Sequence, residues 1–156
     1  MELIIQPATD SEWPAILAIA NRVAPDNKAS NLEWWRNRQN FDASRYTRRH
    51  FIAHRSTETT PLAYAALEEG PDRSQYRLFF LIEPELLPTF GEQLYTYLEL
   101  ELIHLKAEKV WAWEEETDPL VSFLLEHSFE ERSHLTLPDG RNSLFLAREL
   151  LLVRPD

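Results

Sequence analysis

The feature that most constrains the fold is an apolar strand that leads straight into an amphipathic helix. The stretch "SQYRLFFLIEP" (74–84) has the composition of a mostly buried strand bounded by turn residues. From Thr89 onward, leucines recur at helical spacing, at positions 94, 98, 102 and 105. Together the two segments predict a central strand followed by the longest helix of the chain.

The segments before this pair predict an alternation of strands and helices. "ELIIQP" predicts a first strand that ends at Pro7, and "TDSE" (9–12) is a capping box before an apolar-periodic helix. A second capping box, "SNLE" (30–33), predicts another short helix. "RRHFIAHR" and "PLAYAALEEG" then predict two strands that form a meander with the central strand.

The segments after the long helix predict a strand, a helix and a final hairpin. "KVWAWE" predicts the strand, and Asp118 followed by Pro119 is a cap and first-turn pair for the helix "DPLVSFLLEH". "EERSHLTL" and "NSLFLARELLL" predict two strands around the turn "PDGR". We therefore expect one α/β domain over residues 1–156, with a mixed central sheet of about seven strands and about four helices.

Composition and charge limit the partners of this domain. A chain of 156 residues with 44% hydrophobic content can bury one core, and its formal net charge of -10 repels nucleic acid and anionic membranes. The absence of cysteine excludes a disulfide framework, a thiolate metal site and a cysteine nucleophile. The N-terminal apolar patch is too short and too acidic for a signal peptide, and no stretch approaches a transmembrane span. We expect a cytoplasmic protein that binds neither nucleic acid nor membrane.

The order of elements and two segments resemble the GNAT superfamily of N-acetyltransferases. The segment "TDPLVSFLLEHSF" (117–129) is similar to a family run of Asn, two residues, Ala, two residues, Phe-Tyr, three residues and Gly-Phe. Phe123 and Phe129 match its two phenylalanines, and Leu124 stands at its tyrosine. The segment "NLEWWRNRQNFDASRYTRRHFIAH" resembles the second helix and the following strand of larger, often two-domain members.

The resemblance implies a GNAT-like fold and an acyl-CoA-dependent reaction. In that family the pyrophosphate of acetyl-CoA or another acyl-CoA lies on the N-terminal amides of the central helix, and the acceptor is a small-molecule or peptide amine. Glu83, at the end of the central strand, is the candidate catalytic base; the competing interpretation is a solvated strand-end carboxylate. The implied cofactor-binding residues are Leu81, Ile82, Glu83, Leu87, Thr89, Phe90, Gly91, Glu92 and Gln93.

The turn before the helix departs from the family pattern of Gln or Arg, two residues, Gly, one residue, Gly or Ala. If the pattern starts at Leu87, Phe90 and Glu92 occupy the glycine positions; if it is shifted to use Gly91, it starts at Pro88. "TFGE" (89–92) is also a third capping box, in which Thr89 and Glu92 would satisfy amides that a phosphate needs. The local residues therefore favour a helix that caps itself and binds nothing.

Other candidate groups carry weaker signals. The family tyrosine that returns a proton is replaced by Leu124, and His50 and His54 have no third ligand, so we predict no metal site. The run 114–116 ("EEE") could bind a cationic amine or be a solvated loop. Trp34 and Trp35 could line an acceptor pocket, or belong to the core or an interface.

One dense positive patch stands out in the acidic chain. It could pair with an acidic partner, with carboxylates of the same subunit, or with the adenosine phosphate of a cofactor, and such a patch is commonly just solvated. Its members are Arg45, Arg48, Arg49, His50 and Arg55.

Two functional hypotheses follow from the sequence. The first is an acyl-CoA-dependent N-acyltransferase with a weak or atypical cofactor site. The second is a catalytically inactive GNAT-fold module for interaction or dimerisation, which could form a homodimer. The lost glycines favour the second hypothesis, and the element order leaves the first open.

Overall fold

A computed structural model describes residues 3–23, 48–70 and 74–150. Within these ranges the chain forms seven strands and three α-helices. In chain order they are β1 (Leu3–Pro7), α1 (Trp13–Val23), β2 (Arg48–Arg55), β3 (Ala63–Glu69), β4 (Gln75–Ile82), α2 (Glu92–His104), β5 (Lys109–Glu115), α3 (Pro119–Glu126), β6 (Glu130–Thr136) and β7 (Asn142–Glu149).

The predicted element order is confirmed wherever the chain is described. About four helices were expected and three are seen; the helix predicted to start at "SNLE" (30–33), with Trp34 and Trp35, lies outside the described residues. No helix in the described ranges combines the length and the apolar character needed to cross a bilayer.

The seven strands form one mixed sheet in the order β1-β2-β3-β4-β5-β7-β6. Strands β1 to β4 pair antiparallel, which confirms the meander, and β5, β7 and β6 also pair antiparallel. The pair β4–β5 is parallel, because α2 carries the chain back along the sheet between them. This parallel pair joins the two antiparallel halves.

Helices cover both faces of the sheet. On one face α1 buries Trp13, Ile16 and Ile19 in a cluster with residues of β2 to β4. On the other face α2 and α3 bury most of the apolar core, including the three leucines at positions 94, 98 and 102. Tyr97 packs at the margin of this core, and Leu105 lies just beyond the end of α2.

The first capping box and the last turn form much as the sequence predicts. The Glu12 carboxylate accepts from the Thr9 amide at 2.9 Å, and a short 3-10 turn then leads into α1. Between β6 and β7, Gly140 has φ +89° and its amide donates to the Leu137 carbonyl at 2.9 Å. A positive φ of this kind is accessible to glycine at little cost, so "PDGR" closes the hairpin.

Candidate functional site

The candidate site lies where β4 and β5 separate. Their parallel ladder runs only from Gln75–Arg77 to Lys109–Trp111, although β4 continues to Ile82 and β5 to Glu115. Beyond the ladder β5 remains paired with β7, and β4 remains paired with β3. Two neighbouring strands that stop pairing leave an opening between their carboxyl ends.

A cleft of about 200 Å³ occupies this opening. Seven of its lining residues are apolar or proline, and two are carboxylates. The lining consists of Val23, Phe80, Ile82, Pro84, Leu87, Glu115, Asp118, Pro119 and Leu120. Most of the side chains that line the cleft are therefore apolar, with two carboxylates among them.

The turn between β4 and α2 borders the cleft, and several of its backbone amides donate hydrogen bonds within the turn itself. The chain winds into a π-helical turn over Leu87–Gly91 before α2 begins. Four amides donate to carbonyl oxygens within the turn: Leu86 to Glu83 (2.9 Å), Leu87 to Pro84 (3.3 Å), Thr89 to Leu86 (3.1 Å) and Phe90 to Leu86 (2.8 Å). Pro84 and Pro88 have no amide to offer. An anion at this turn would meet few free donors.

The capping box predicted at "TFGE" is wrong. Thr89 lies inside the helical winding that starts at Leu87, so its side chain caps no helix end, and the first residues of α2 have no side-chain cap. Glu92 instead reaches the residue that follows α3, where its Oε2 lies 2.6 Å from His127 Nε2. The local spacing suggested a cap, but a residue 35 positions along the chain takes the carboxylate.

His127 fixes this contact between α2 and α3. Its Nδ1 lies 2.7 Å from the Phe123 carbonyl oxygen, and its ring stacks on the Phe123 ring at 4.2 Å between centroids. Tyr95 of α2 contacts the His127 ring, with 4.6 Å between the two ring centroids. The carboxylate of Glu92 is therefore directed to α3.

Gly91 serves packing between the turn and α3. A Cβ at this position would lie 2.8 Å from Leu87 Cδ1 and 3.0 Å from Phe123 Cε2, so both side chains would have to shift to admit it. Its φ of −58° is one that any residue can adopt. The surviving glycine of the turn is thus explained by the close approach of Phe123.

The structure scatters the other residues that the resemblance implied for a cofactor. Ile82 and Leu87 line the cleft, whereas Leu81 is buried on the opposite face, against α1. Phe90 is buried with the Arg55 guanidinium 5.6 Å above its ring, and Gln93 Oε1 accepts from the Leu3 amide at 3.1 Å. Only part of the implied set faces one opening.

Arg55 places a cation near the turn. The sequence alone groups it with the other members of the basic patch. It ends β2 on the α2 side of the sheet, since Phe51 and Ala53, at alternate positions, belong to that core. The same alternation in the sequence "FIAHR" could have placed it there. Its Nη1 also lies 3.6 Å from Glu58.

Glu83 lies beside the cleft, between the lining residues Ile82 and Pro84, and forms an ion pair. Its Oε1 accepts from Arg22 Nε at 3.0 Å, and the two side chains are 35% and 46% exposed. A pair as exposed as this is worth at most about 1 kcal/mol, so the carboxylate can change partners readily.

Proton donors are scarce at the cleft. Leu124, at the family's tyrosine position, is fully buried and cannot donate. Tyr95 is also buried; desolvation raises its pKa, and the neighbouring Arg148 opposes this in part. Its hydroxyl accepts from Arg148 Nη1 at 2.6 Å, and it is not among the lining residues of the cleft.

The acidic edge is held by ion pairs and a helix cap. Glu115 accepts from Arg141 Nη1 at 2.6 Å, and Arg141 Nε also donates to Asp139. Asp118 Oδ1 accepts from the Leu120 amide at 2.9 Å, which confirms the predicted cap of α3. Glu114 is 5% exposed, so the run 114–116 is not a uniformly solvated loop.

The described residues contain no group of three or more histidine and carboxylate side chains arranged to hold a metal ion.

Comparison with known proteins identifies the fold. No protein-family model and no curated protein sequence matches the chain. Solved structures do match over nearly the whole chain. A GNAT-family protein from Desulfovibrio desulfuricans has a TM-score of 0.76 at 12% identity, covering 95% of this chain and 99% of its own.

Two further structures extend the similarity. The ribosomal-protein-S18-alanine N-acetyltransferase from Escherichia coli has a TM-score of 0.75 at 15% identity, covering 99% and 98% of the two chains. A spermidine/spermine N-acetyltransferase from Vibrio cholerae has a TM-score of 0.68 at 17% identity, covering 95% and 92%. The chain therefore has the GNAT fold.

The site fits acyl-CoA, the cofactor implied by that fold, only in part. The opening between β4 and β5 fits a small apolar group. The turn does not fit a pyrophosphate, because four of its amides are bonded internally and its glycine faces Phe123.

Proposed function

We propose that this chain is a non-catalytic GNAT-fold module, used for binding or dimerisation, that does not bind the nucleotide part of acyl-CoA. The internal bonding of the amides before α2 carries this proposal. A pyrophosphate gains its affinity at a helix start from free amides and the positive helix end. To expose those amides here, the turn would have to break bonds that its own backbone already makes.

The catalytic groups support the same proposal. Leu124 stands where the family supplies a proton donor, and it is fully buried and apolar. Acyl transfer to an amine needs a base for the ammonium and a proton for the departing thiolate. Among the described lining residues, carboxylates are present for the role of base, but no group is present that would return a proton to the thiolate.

A second candidate is an N-acyltransferase with an atypical cofactor site, which uses acetyl-CoA or another acyl-CoA and a small-molecule or peptide amine. The separation of β4 from β5 favours it, because one edge of Leu81–Glu83 has no partner strand in the described sheet and lies beside the cleft. Arg55 near the turn supplies a cation, and Glu83 would be the base.

Calorimetric titration with acetyl-CoA and longer acyl-CoAs separates the two candidates. A ligand that binds only the folded state adds about 2.7 kcal/mol of stability at a hundred times its dissociation constant. For a chain of this size that raises the melting temperature by roughly 5–10 °C. We expect no heat of binding and no change in the melting temperature at millimolar acyl-CoA.

A matched variant guards against non-specific binding. Val23 lines the cleft from the end of α1, at the margin of the core on that face, so Val23→Trp places a much larger side chain at the cleft. Saturable binding of acetyl-CoA that Val23→Trp abolishes would overturn the non-catalytic proposal and support the second candidate.

A further inference from the structure

The turn between β6 and β7 contains the one place in the sequence where an aspartate precedes a glycine. Of the three glycines, Gly140 alone follows an aspartate, Asp139, and both residues are exposed. Because glycine has no side chain to shield its amide nitrogen, this nitrogen can approach the carboxyl carbon of the preceding residue closely. In an unconstrained chain an Asp–Gly pair is therefore prone to cyclise.

The cyclisation needs no reactant from outside the chain except water. The Gly140 nitrogen bonds to Asp139 Cγ, the C–O bond of the carboxyl group breaks, and the hydroxyl leaves as water with the amide proton. Water then opens the five-membered imide at one of its two carbonyls. Opening at Cγ restores aspartate, whereas opening at the main-chain carbonyl leaves the backbone running through the side chain, as isoaspartate. The carboxyl group reacts as the neutral acid, since a carboxylate has no good leaving group.

The folded turn engages the attacking nitrogen. The Gly140 amide donates to the Leu137 carbonyl oxygen at 2.9 Å, and the Leu137 amide donates to the Arg141 carbonyl oxygen at 2.8 Å. To reach Asp139 Cγ, the Gly140 nitrogen would have to give up its bond to Leu137. The turn must therefore open before the ring can close.

Arg141 engages the carboxyl group that would be attacked. Its amide donates to Asp139 Oδ1 at 3.0 Å, and its Nε donates to Oδ2. The hydrogen bond from the Arg141 amide, supported by the Arg141 side chain, holds the pKa of the Asp139 carboxyl below its usual range. The reactive neutral acid is therefore rarer in the folded turn than in an unfolded chain.

We propose that Asp139–Gly140 is a site of isoaspartate formation and that Arg141 suppresses this reaction in the folded protein. The product would add one methylene group to the backbone of the turn and displace Arg141. Because Arg141 Nη1 also donates to Glu115 at 2.6 Å, the change would reach a residue that lines the cleft. This inference concerns the backbone of the hairpin and does not depend on the proposed function.

Ageing of the intact protein tests the site. Native protein and the same protein unfolded in guanidinium chloride are incubated at one temperature and one pH, and isoaspartate at position 139 is measured by peptide mapping with mass spectrometry. We expect the product to accumulate about tenfold faster in the unfolded chain, because unfolding releases both the Gly140 amide and the Asp139 carboxyl group.

Three variants test the role of Arg141. Arg141→Met removes the side-chain bond to Asp139 on the surface of the protein, and should raise the rate in the folded state about twofold to fivefold, as expected for a solvent-exposed ion pair. Arg132→Met removes a matched exposed arginine from β6 and should leave the rate unchanged. Asp139→Glu keeps a carboxylate but would have to form a six-membered ring, so the product at position 139 should disappear.

Several results would overturn the inference. It fails if isoaspartate at position 139 accumulates equally fast in native and unfolded protein, or if it forms in neither. It also fails if Arg141→Met ages no faster than the native protein, or if Arg132→Met ages as fast as Arg141→Met, since Arg141 would then have no specific effect. None of these measurements uses acyl-CoA, so the inference and the proposed function can fail separately.

Discussion

Gly91→Ala tests whether the glycine of the turn is kept for packing. The added Cβ would lie 2.8 Å from Leu87 Cδ1 and 3.0 Å from Phe123 Cε2. Leu87 can turn its methyl group away, but the Phe123 ring is held by the stacked His127 ring at 4.2 Å and by Tyr95 at 6.0 Å. The conflict with Phe123 is therefore the one that costs free energy.

The expected magnitude follows from two opposing effects. Overpacking a buried site costs about 1–3 kcal/mol. Replacing glycine by alanine in a helix returns about 1 kcal/mol through backbone propensity. We expect a net loss of about 1 kcal/mol in the free energy of unfolding, which lowers the melting temperature by roughly 2–4 °C.

Urea denaturation followed by tryptophan fluorescence measures this loss, with two glycines as controls. At Gly70 an added Cβ would make an ordinary contact of 3.4 Å with the Gln75 carbonyl oxygen, so Gly70→Ala should change little. At Gly140 the space is open but φ is +89°, so Gly140→Ala should cost about 1 kcal/mol through backbone strain alone.

A second substitution identifies the partner. In a Phe123→Leu background the ring edge is gone, and Gly91→Ala should cost less than in the native background. A Gly91→Ala variant that is more stable than the native protein by about 0.5–1 kcal/mol would refute this account, because propensity would then act without a packing conflict.

Three further predictions concern stability. Asp118→Ala should cost about 1 kcal/mol and Asp118→Asn a few tenths in urea denaturation, because only alanine removes the cap of α3; equal costs would contradict this role. Arg148→Met should cost about 1–2 kcal/mol, since the guanidinium binds the Tyr95 hydroxyl and Glu99 at 2.6 Å. Arg132→Met, with contacts of 3.6 Å on the surface, should cost under about 0.5 kcal/mol, so similar losses in both would refute the distinction. Burial raises the pKa of Tyr95 above its ordinary value of 10.0, so the folded state holds its proton more tightly than the unfolded state, and stability should fall as the pH rises above about 10. Tyr95→Phe should reduce that fall in a series of denaturation curves at increasing pH; an unchanged slope would contradict it.

The elements were predictable from sequence because their signals are local. The strand Arg48–Arg55 coincides with "RRHFIAHR", and Asp118 with Pro119 marks the start of α3. Apolar periodicity, turn residues and caps act within a few positions, so a single sequence contains them.

The site was less predictable because its decisive contacts are distant in sequence. Thr89 and Glu92 have the same spacing as Thr9 and Glu12. Only Thr9 and Glu12 form a capping contact, because the Glu92 carboxylate contacts His127 instead. The contact of Gly91 with Phe123 is similarly distant. Local spacing alone contains no information about either partner.

The short ladder between β4 and β5 also bears on how the sheet opens. In the described strands, the half of the sheet formed by β1–β4 is joined to the half formed by β5, β7 and β6 through three residue pairs between β4 and β5. We call this short ladder the seam. Contacts from Arg148 of β7 to Tyr95 and Glu99 of α2 brace this seam from one face. Hydrogen exchange at the amides of Tyr76 and Trp111, which point across the seam, should then report a sub-global opening in which the halves part while each keeps its own ladder. The cleft therefore lies along the seam at which we expect the two halves of the sheet to separate first.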